Sequence, residues 1–251
     1  MASSGLPIGC PADVAASAHV YVDRLDDALR VGDDDGHHLV RVRRLRSGET
    51  VTAADGYGRW RAYSVTGVEA GVVDLRATSD LAHEPAFAPG VVIACSLTKG
   101  ERPELVVQKL TELGVDAVFL VRAARSVVKW DEQREATAME RLRRVARESG
   151  AQCRRARLPV VDGPMPVTEL AGLSGLVVAD RGGVTAAELA EPAGGQWVVA
   201  VGPEGGFDDD ELALLARAPR LAVGHLVLRA ETAAIATAAA LTGRRSPEVT
   251  G

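Results

Sequence analysis

The segment Val201-Gly202-Pro203-Glu204-Gly205-Gly206-Phe207 holds the residue types best suited to chemistry at a bound ligand. Three glycines and a proline make a tight loop whose backbone can approach a ligand closely. Pro203 and Glu204 are not needed merely to reverse the chain, so the loop reads as a binding element. The acid argues against one large ligand class, because a loop that cradles phosphate with its amides has no use for a carboxylate at its centre. The spacing also lacks the Gly-x-Gly-x-x-Gly fingerprint of dinucleotide folds and the Gly-Lys-Ser/Thr ending of a phosphate loop. The loop better suits a ligand with an adenosine or amino-acid part and no phosphate.

S-adenosylmethionine meets that description. A second segment, Val223-Gly224-His225-Leu226-Val227-Leu228-Arg229-Ala230-Glu231-Thr232-Ala233, begins as another strand-to-loop transition. It feeds the run Ala234 to Leu241, which has high helix propensity and small side chains on every face. Such a helix is usually buried on both sides, so the run predicts a core helix or one shared with a second subunit. Other chemistry is poorly represented. No His, Cys and Asp/Glu combination has metal-ligand spacing, and no Ser-His-Asp arrangement is recognisable. His37 and His38 stand beside an arginine cluster, where a structural hydrogen-bonding role competes with a contact to phosphate or base.

The elements that must position these loops fall into two parts. From about residue 18 to 80, short alternating strands are predicted at His19 to Val22, Thr50 to Ala54, Arg59 to Val65 and Val72 to Ala77. Asp55-Gly56-Tyr57-Gly58 is a hairpin-type turn between two of them, and the spacing suggests a small β-barrel. Residues 83–90, with two prolines and a glycine, read as a linker between a domain at 1–82 and one at 91–251. Beyond it, apolar runs at Val91 to Leu97, Val118 to Val121, Leu176 to Ala179, Trp197 to Val201 and Leu221 to Val223 suit buried parallel strands. Helices are predicted at Arg102 to Leu113, Asp131 to Gly150, Thr185 to Leu189 and Asp208 to Ala216. That alternation implies an α/β fold, a parallel sheet covered by helices.

Charge is distributed unevenly. The chain of 251 residues has a net charge of −5, which argues against nonspecific nucleic-acid binding. Yet seven arginines (141, 143, 144, 147, 154, 155 and 157) face a single acid, Glu148, between residues 141 and 157. Arg41, Arg43, Arg44 and Arg46 form a second cluster. Removing these patches of +6 and +4 leaves −15 on the remainder. An acidic body with two basic patches suits docking at one place on a structured RNA, against the plainer alternative of a solvated arginine-rich helix. No apolar run is long enough for a transmembrane helix, and Met1 to Pro7 does not resemble a signal peptide. Cys10, Cys95 and Cys153 fit neither a disulfide framework nor a zinc site, which predicts a reducing, cytoplasmic compartment.

Five ordered motifs resemble those of the SPOUT superfamily of RNA methyltransferases, and within it the 16S rRNA uridine N3-methyltransferase family (RsmE type). His37-His38-Leu39-Val40-Arg41-Val42-Arg43-Arg44-Leu45-Arg46-Ser47-Gly48 is similar to "HHL-x-x-VLR-x-x-x-G". Lys99-Gly100, then Gln108-Lys109-Leu110-Thr111-Glu112-Leu113-Gly114-Val115, are similar to a "QK-x-TELGV" helix. Gln152-Cys153, Arg155, Arg157 and Pro159 match an "EQ-C/S-x-R-x-x-x-P" stretch, and the two glycine segments match "GPEGGF" and "LG-x-x-(I/V)LR-x-ETA". Ala151, Ala230 and His19-Val20-Tyr21 depart from the pattern, the first two at positions that bear on details of RNA contact.

The resemblance implies a PUA-like barrel followed by a SPOUT domain with a carboxyl-terminal trefoil knot, working as a homodimer on 16S rRNA or the small ribosomal subunit, without metal or membrane. It implies S-adenosylmethionine as cofactor, held by Ala179, Val201, Gly202, Pro203, Gly205, Gly206, Leu226 and Leu228. RNA contacts are expected from Arg41, Arg43, Arg44, Lys99, Arg154, Arg155 and Arg157. Arg229 is the candidate for stabilising a uracil anion and Glu204 for accepting the proton, while Glu231 reads first as charge complementarity at a helix start. Two alternatives stay open: a 2′-O-ribose methyltransferase of the same superfamily, and a non-catalytic RNA-binding assembly factor.

Overall fold

The computed structural model describes residues 9–32, 44–96, 102–126, 128, 130–192 and 194–247. Contacts divide them into two compact units. One comprises the described residues up to Ala86 together with Arg147–Leu158, and the other comprises Phe87–Ala146 and the residues from Pro159 onward. The stretch 147–158 therefore groups with the amino-terminal residues, whereas its position in the sequence puts it in the second domain.

The smaller unit is a six-stranded sheet of β1 (Ala18–Tyr21), β2 (Ala28–Val31), β3 (Thr50–Ala54), β4 (Arg59–Glu69), β5 (Val72–Ala77) and β6 (Ala82–His83). The order is β1-β3-β4-β5-β2, with β6 on β4. Period-two alternation sends Val20, Val51, Ala53, Tyr63, Val65, Val73 and Leu75 into one interior shared by these strands, as in a barrel-like sheet. Four strands stand where alternation predicts them. β2 is not legible because only Val31 of its four residues is buried.

The larger unit contains β7 (Phe87–Ala88), β8 (Gly90–Ser96), α1 (Arg102–Glu112), β9 (Ala117–Arg122), α2 (Glu132–Cys153, whose last turns lie in the smaller unit) and β10 (Val160–Pro166). It continues through α3 (Val167–Leu170), β11 (Leu176–Thr185), β12 (Gln196–Val201), α4 (Asp209–Leu214), β13 (Arg220–Ala222), α5 (Ala230–Thr242) and β14 (Ser246–Pro247). Six strands form one parallel sheet in the order β10-β9-β8-β12-β11-β13. Both faces are covered. Ile93, Leu120, Trp197 and Val199 pack with Leu110, Leu142, Ala234 and Leu241 on one side. Val92, Ala94, Val198 and Ala200 pack with Leu170, Phe207 and Leu215 on the other. Strands apolar on both faces give the continuous runs seen in the sequence.

Two local readings change. Thr185–Leu189 is one turn rather than a helix. The Glu188 carboxylate closes it by accepting from the Thr185 amide and hydroxyl at 2.9 and 2.8 Å. β10 escapes sequence reading because two prolines interrupt it; it sits at the sheet edge, where a missing N–H is tolerated. No described helix is long and apolar enough to cross a membrane.

Candidate active site

β11 and β12 run parallel and in register from Leu176↔Val198 to Val178↔Ala200, so their carboxyl ends open on the same edge of the sheet. Open α/β sheets hold ligands at that edge. β11 then bulges between Ala179 and Val184 before pairing with β13 again. Gly183 permits this, since a Cβ there would lie 2.3 Å from the Arg220 carbonyl carbon.

The glycine loop leaves β12 directly after buried Val201. Gly206 has a φ of +69°, in the left-handed region, and its amide donates to the Pro203 carbonyl at 2.8 Å. Asp208 caps α4: its carboxylate accepts the Glu211 amide at 2.8 Å, and Glu211 returns a carboxylate to the Asp208 amide at 2.9 Å. The other Glu211 oxygen accepts the Ala124 amide at 2.7 Å, tying the loop after β9 to the start of α4. From that loop Arg125 donates to the carbonyls of Gly205 at 3.0 Å and Phe207 at 3.3 Å.

These elements enclose a pocket of about 370 Å³, within the range of roughly 300–1,000 Å³ usual for small-molecule sites. Val178, Val201, Phe207, Leu228, Ala230 and Ala233 supply apolar surface, and Arg125, Asp180, Glu204 and Arg220 supply polar groups. Nη1 of Arg220 is buried and has no protein partner among the described residues. Of the residues expected at a cofactor, Ala179, Val201, Gly202, Pro203, Gly205, Gly206 and Leu228 line this pocket. Leu226 stands apart, 65% exposed.

Glu204 and Glu231 converge on one cation. Arg102, at the start of α1, reaches Glu204 at 3.0 Å through Nη1 and Glu231 at 3.5 Å through Nε. Glu231 is buried, so the pair has structural weight that a surface ion pair lacks. Arg229 is different. It precedes α5 as its extended N-cap residue, makes no side-chain cap bond, and is exposed. It has no ion pair among the described residues, and its neighbours Leu228 and Ala230 both line the pocket.

Of the expected RNA contacts, the described ones, Arg44, Arg154, Arg155 and Arg157, all fall in the smaller unit. Arg41, Arg43 and Lys99 lie outside the described residues, as do His37 and His38. Arg44 is exposed, with a φ of +52°. Arg154 donates to the carbonyls of Val14 at 3.1 Å and Ala16, and Arg157 to that of Glu84 at 3.4 Å, so both brace the smaller unit. The Arg155 carbonyl accepts the Tyr21 hydroxyl at 2.7 Å. Arg144 is exposed and makes no such contact among the described residues.

Arg102, Arg125 and Arg220 were not singled out from sequence. Arg102 alone leaves a trace there, because a cation at a helix start opposes the helix dipole and calls for acids from elsewhere.

The sequence model of an RNA methyltransferase domain matches residues 87–242, and that of an RNA methyltransferase PUA domain matches residues 31–75. Ribosomal RNA small subunit methyltransferase E of Mycobacterium bovis is 40% identical over 229 residues, which cover 85% of this chain and 87% of that protein. A methyltransferase of Legionella pneumophila, solved with bound cofactor SAM, superposes with a TM-score of 0.80 at 26% identity, covering 92% of this chain and 98% of that one. The small subunit methyltransferase E of Neisseria gonorrhoeae, bound to S-adenosyl methionine, shares the fold at a TM-score of 0.80 and 24% identity, over 90% and 97% of the two chains. The architecture is thus the SPOUT type preceded by a PUA-like domain, and the chain belongs to the ribosomal RNA small subunit methyltransferase E family.

Proposed function

We propose that this protein methylates N3 of one uridine in small-subunit (16S) rRNA with S-adenosylmethionine as methyl donor. The observation that carries the reading is the pocket on the β11–β12 edge, walled by a glycine loop with no phosphate-binding spacing and with Arg229 between two lining residues.

The pocket fits the cofactor. Leu228, Val178 and Val201 offer apolar surface to an adenine, the Gly202–Gly206 backbone can meet it closely, and Arg220 has a buried donor without a protein partner. The cofactor supplies an electrophilic methyl group on a sulfonium. The chain's own residues must do the rest. Uracil N3 is a poor nucleophile while protonated, so a base and an anion-stabilising group are both needed. Arg229 serves the second role, countering charge that spreads onto the uracil oxygens as the N3–H bond breaks. Glu204 accepts the proton, directly or through water, while Arg102 fixes its position through Oε1. Held here, the cofactor would give its methyl group to N3, with the electron pair of the broken bond left on its sulfur.

Arg44, Arg154, Arg155 and Arg157, with Arg41, Arg43 and Lys99, complete the reading as RNA contacts, Arg154 and Arg157 also bracing the fold. The exposed Leu226, Val227, Leu212 and Leu214 support association of two copies. Action on ribosomal RNA, together with three free cysteines, supports a cytoplasmic location.

The test joins a chemical map to one variant. Mass spectrometry of digested rRNA from a deletion strain and its complement should show methyl missing and restored on a uridine base; a ribose methyl instead would select the 2′-O alternative. Arg229→Ala should lower turnover at saturating RNA by on the order of a hundredfold with cofactor affinity unchanged. Full turnover would remove Arg229 from the chemistry.

A further inference from the structure

The turn between β3 and β4 holds a single aromatic ring out to solvent. Tyr57 is 82% exposed, while the other tyrosines, Tyr21 and Tyr63, are buried at 3% and 0%. Lone exposed apolar side chains are common on mobile turns and mean little. This turn is firmly built. The Asp55 carboxylate, with its side chain only 4% exposed, accepts the Tyr57 amide at 2.8 Å, the Arg59 amide at 3.1 Å and Arg59 Nε at 2.7 Å. Gly56 and Gly58, at φ +81° and +108°, flank Tyr57 and set its direction. The Leu158 amide donates to the Gly56 carbonyl at 2.9 Å, and the Gly58 amide to that of Ala156 at 3.2 Å, so the turn is pinned from a second stretch of the same unit.

The surroundings carry positive charge. The Arg157 guanidinium packs against Gly58, where a Cβ would stand 2.7 Å from its central carbon, with its Nε buried and its Nη2 donating to the Glu84 carbonyl. Arg59, paired through Nε with Asp55, keeps its side chain 54% exposed. The two acids nearby face inward: Asp55 as described, and Glu84 onto the amides of Ala156 and Arg157, the latter at 2.8 Å. A rigid ring with Arg59 two residues on and Arg157 bridged to the same turn, and with neighbouring carboxylates engaged by main-chain amides, matches the stacking-plus-charge chemistry by which proteins hold single-stranded nucleic acid.

We propose that Tyr57 is a stacking platform for one unpaired base of the RNA substrate, with Arg59 and Arg157 drawing in the adjoining phosphates. The proposal rests on the reading of this protein as an rRNA enzyme. It makes Tyr57 an affinity determinant remote from the chemistry.

The test uses the full chain and a fluorescein-labelled single-stranded fragment of small-subunit rRNA, read by anisotropy. Tyr57→Ala should weaken binding by roughly five- to a hundredfold, whereas Tyr57→Phe and Tyr57→Trp should keep it, since each retains a stacking face. Melting temperature and calorimetric affinity for S-adenosylhomocysteine should not change, because the ring is exposed and holds nothing in place. Wild-type affinity in Tyr57→Ala would overturn the proposal. So would an equal loss in Tyr57→Phe, which would assign the effect to the hydroxyl, or a changed sedimentation coefficient with RNA affinity intact, which would assign the ring to a protein partner. Failure of the unaltered protein to bind rRNA would sink the rRNA reading itself, and this proposal with it.

Discussion

The turn at 55–58 and the loop at 202–207 are both glycine-bearing exits from a strand, yet they are held in opposite ways. The first closes on itself, because one side chain, Asp55, satisfies two amides and a guanidinium within five residues. The second has one internal main-chain bond, from Gly206 to Pro203, and otherwise depends on Arg125, Arg102 and the Glu211 cap. A loop that must turn its backbone toward a ligand has no side chain left to close itself, so its rigidity comes from neighbouring elements. A turn that presents a ring outward has no such conflict.

Asp55→Ala should break the contrast most sharply. Loss of three hydrogen bonds at a buried acceptor should cost the smaller unit about 3 kcal/mol in denaturant unfolding, with cofactor affinity unchanged. A loss below about 1 kcal/mol would mean the turn does not rest on Asp55. Acid sharpens the test. Burial alone opposes ionisation of Asp55, but Arg59 and the two amides outweigh it and hold the carboxyl below the usual carboxylate range. Its stabilisation is therefore complete above an unfolded value of about 3.9 and fades as the pH falls through the folded value, so wild type and variant should converge in acid.

Arg102→Ala should act on the other loop. It leaves Glu231 buried without its cation and Glu204 unheld, and should weaken cofactor binding by roughly thirtyfold in calorimetry. Arg102→Lys should restore only part, since one ammonium nitrogen cannot stand at both the Nη1 and Nε positions that reach Glu204 and Glu231. Unchanged affinity in Arg102→Ala would show that the loop holds its shape without that tie. Gly206→Ala should have the smallest effect. Nothing lies within 4 Å of the new methyl, so only the strain of a left-handed φ remains, about 1 kcal/mol or a fivefold loss of affinity.

The same contrast explains what the sequence discloses. Strands such as β8 and β12 are legible because a strand buried on both faces must be apolar throughout, and the glycine loop is legible because its residue types are unusual. The residues that hold that loop are not. Arg102 and Arg125 reach it from 102 and 80 positions away, and nothing local marks such a partner. Arg154 and Arg157 show the converse. Their charge is plain in the sequence, but their partners are backbone carbonyls, which have no signature there, so the bracing of the smaller unit is not legible beside the charge. β10 and the turn at 185–189 were obscured by local composition: prolines on an edge strand, and an acid-closed turn that imitates a helix start.

The return of Arg147–Leu158 to the smaller unit bears on how this protein can change over generations. Arg154 closes on Val14 and Ala16, and Glu84 closes on Ala156 and Arg157, so the amino-terminal stretch is finished only by residues encoded after the first two strands of the parallel sheet. A recombination event that moved that stretch onto another enzyme would deliver a module without its last pieces. A transfer that kept the smaller unit whole would have to carry both segments, the amino-terminal one and Arg147–Leu158.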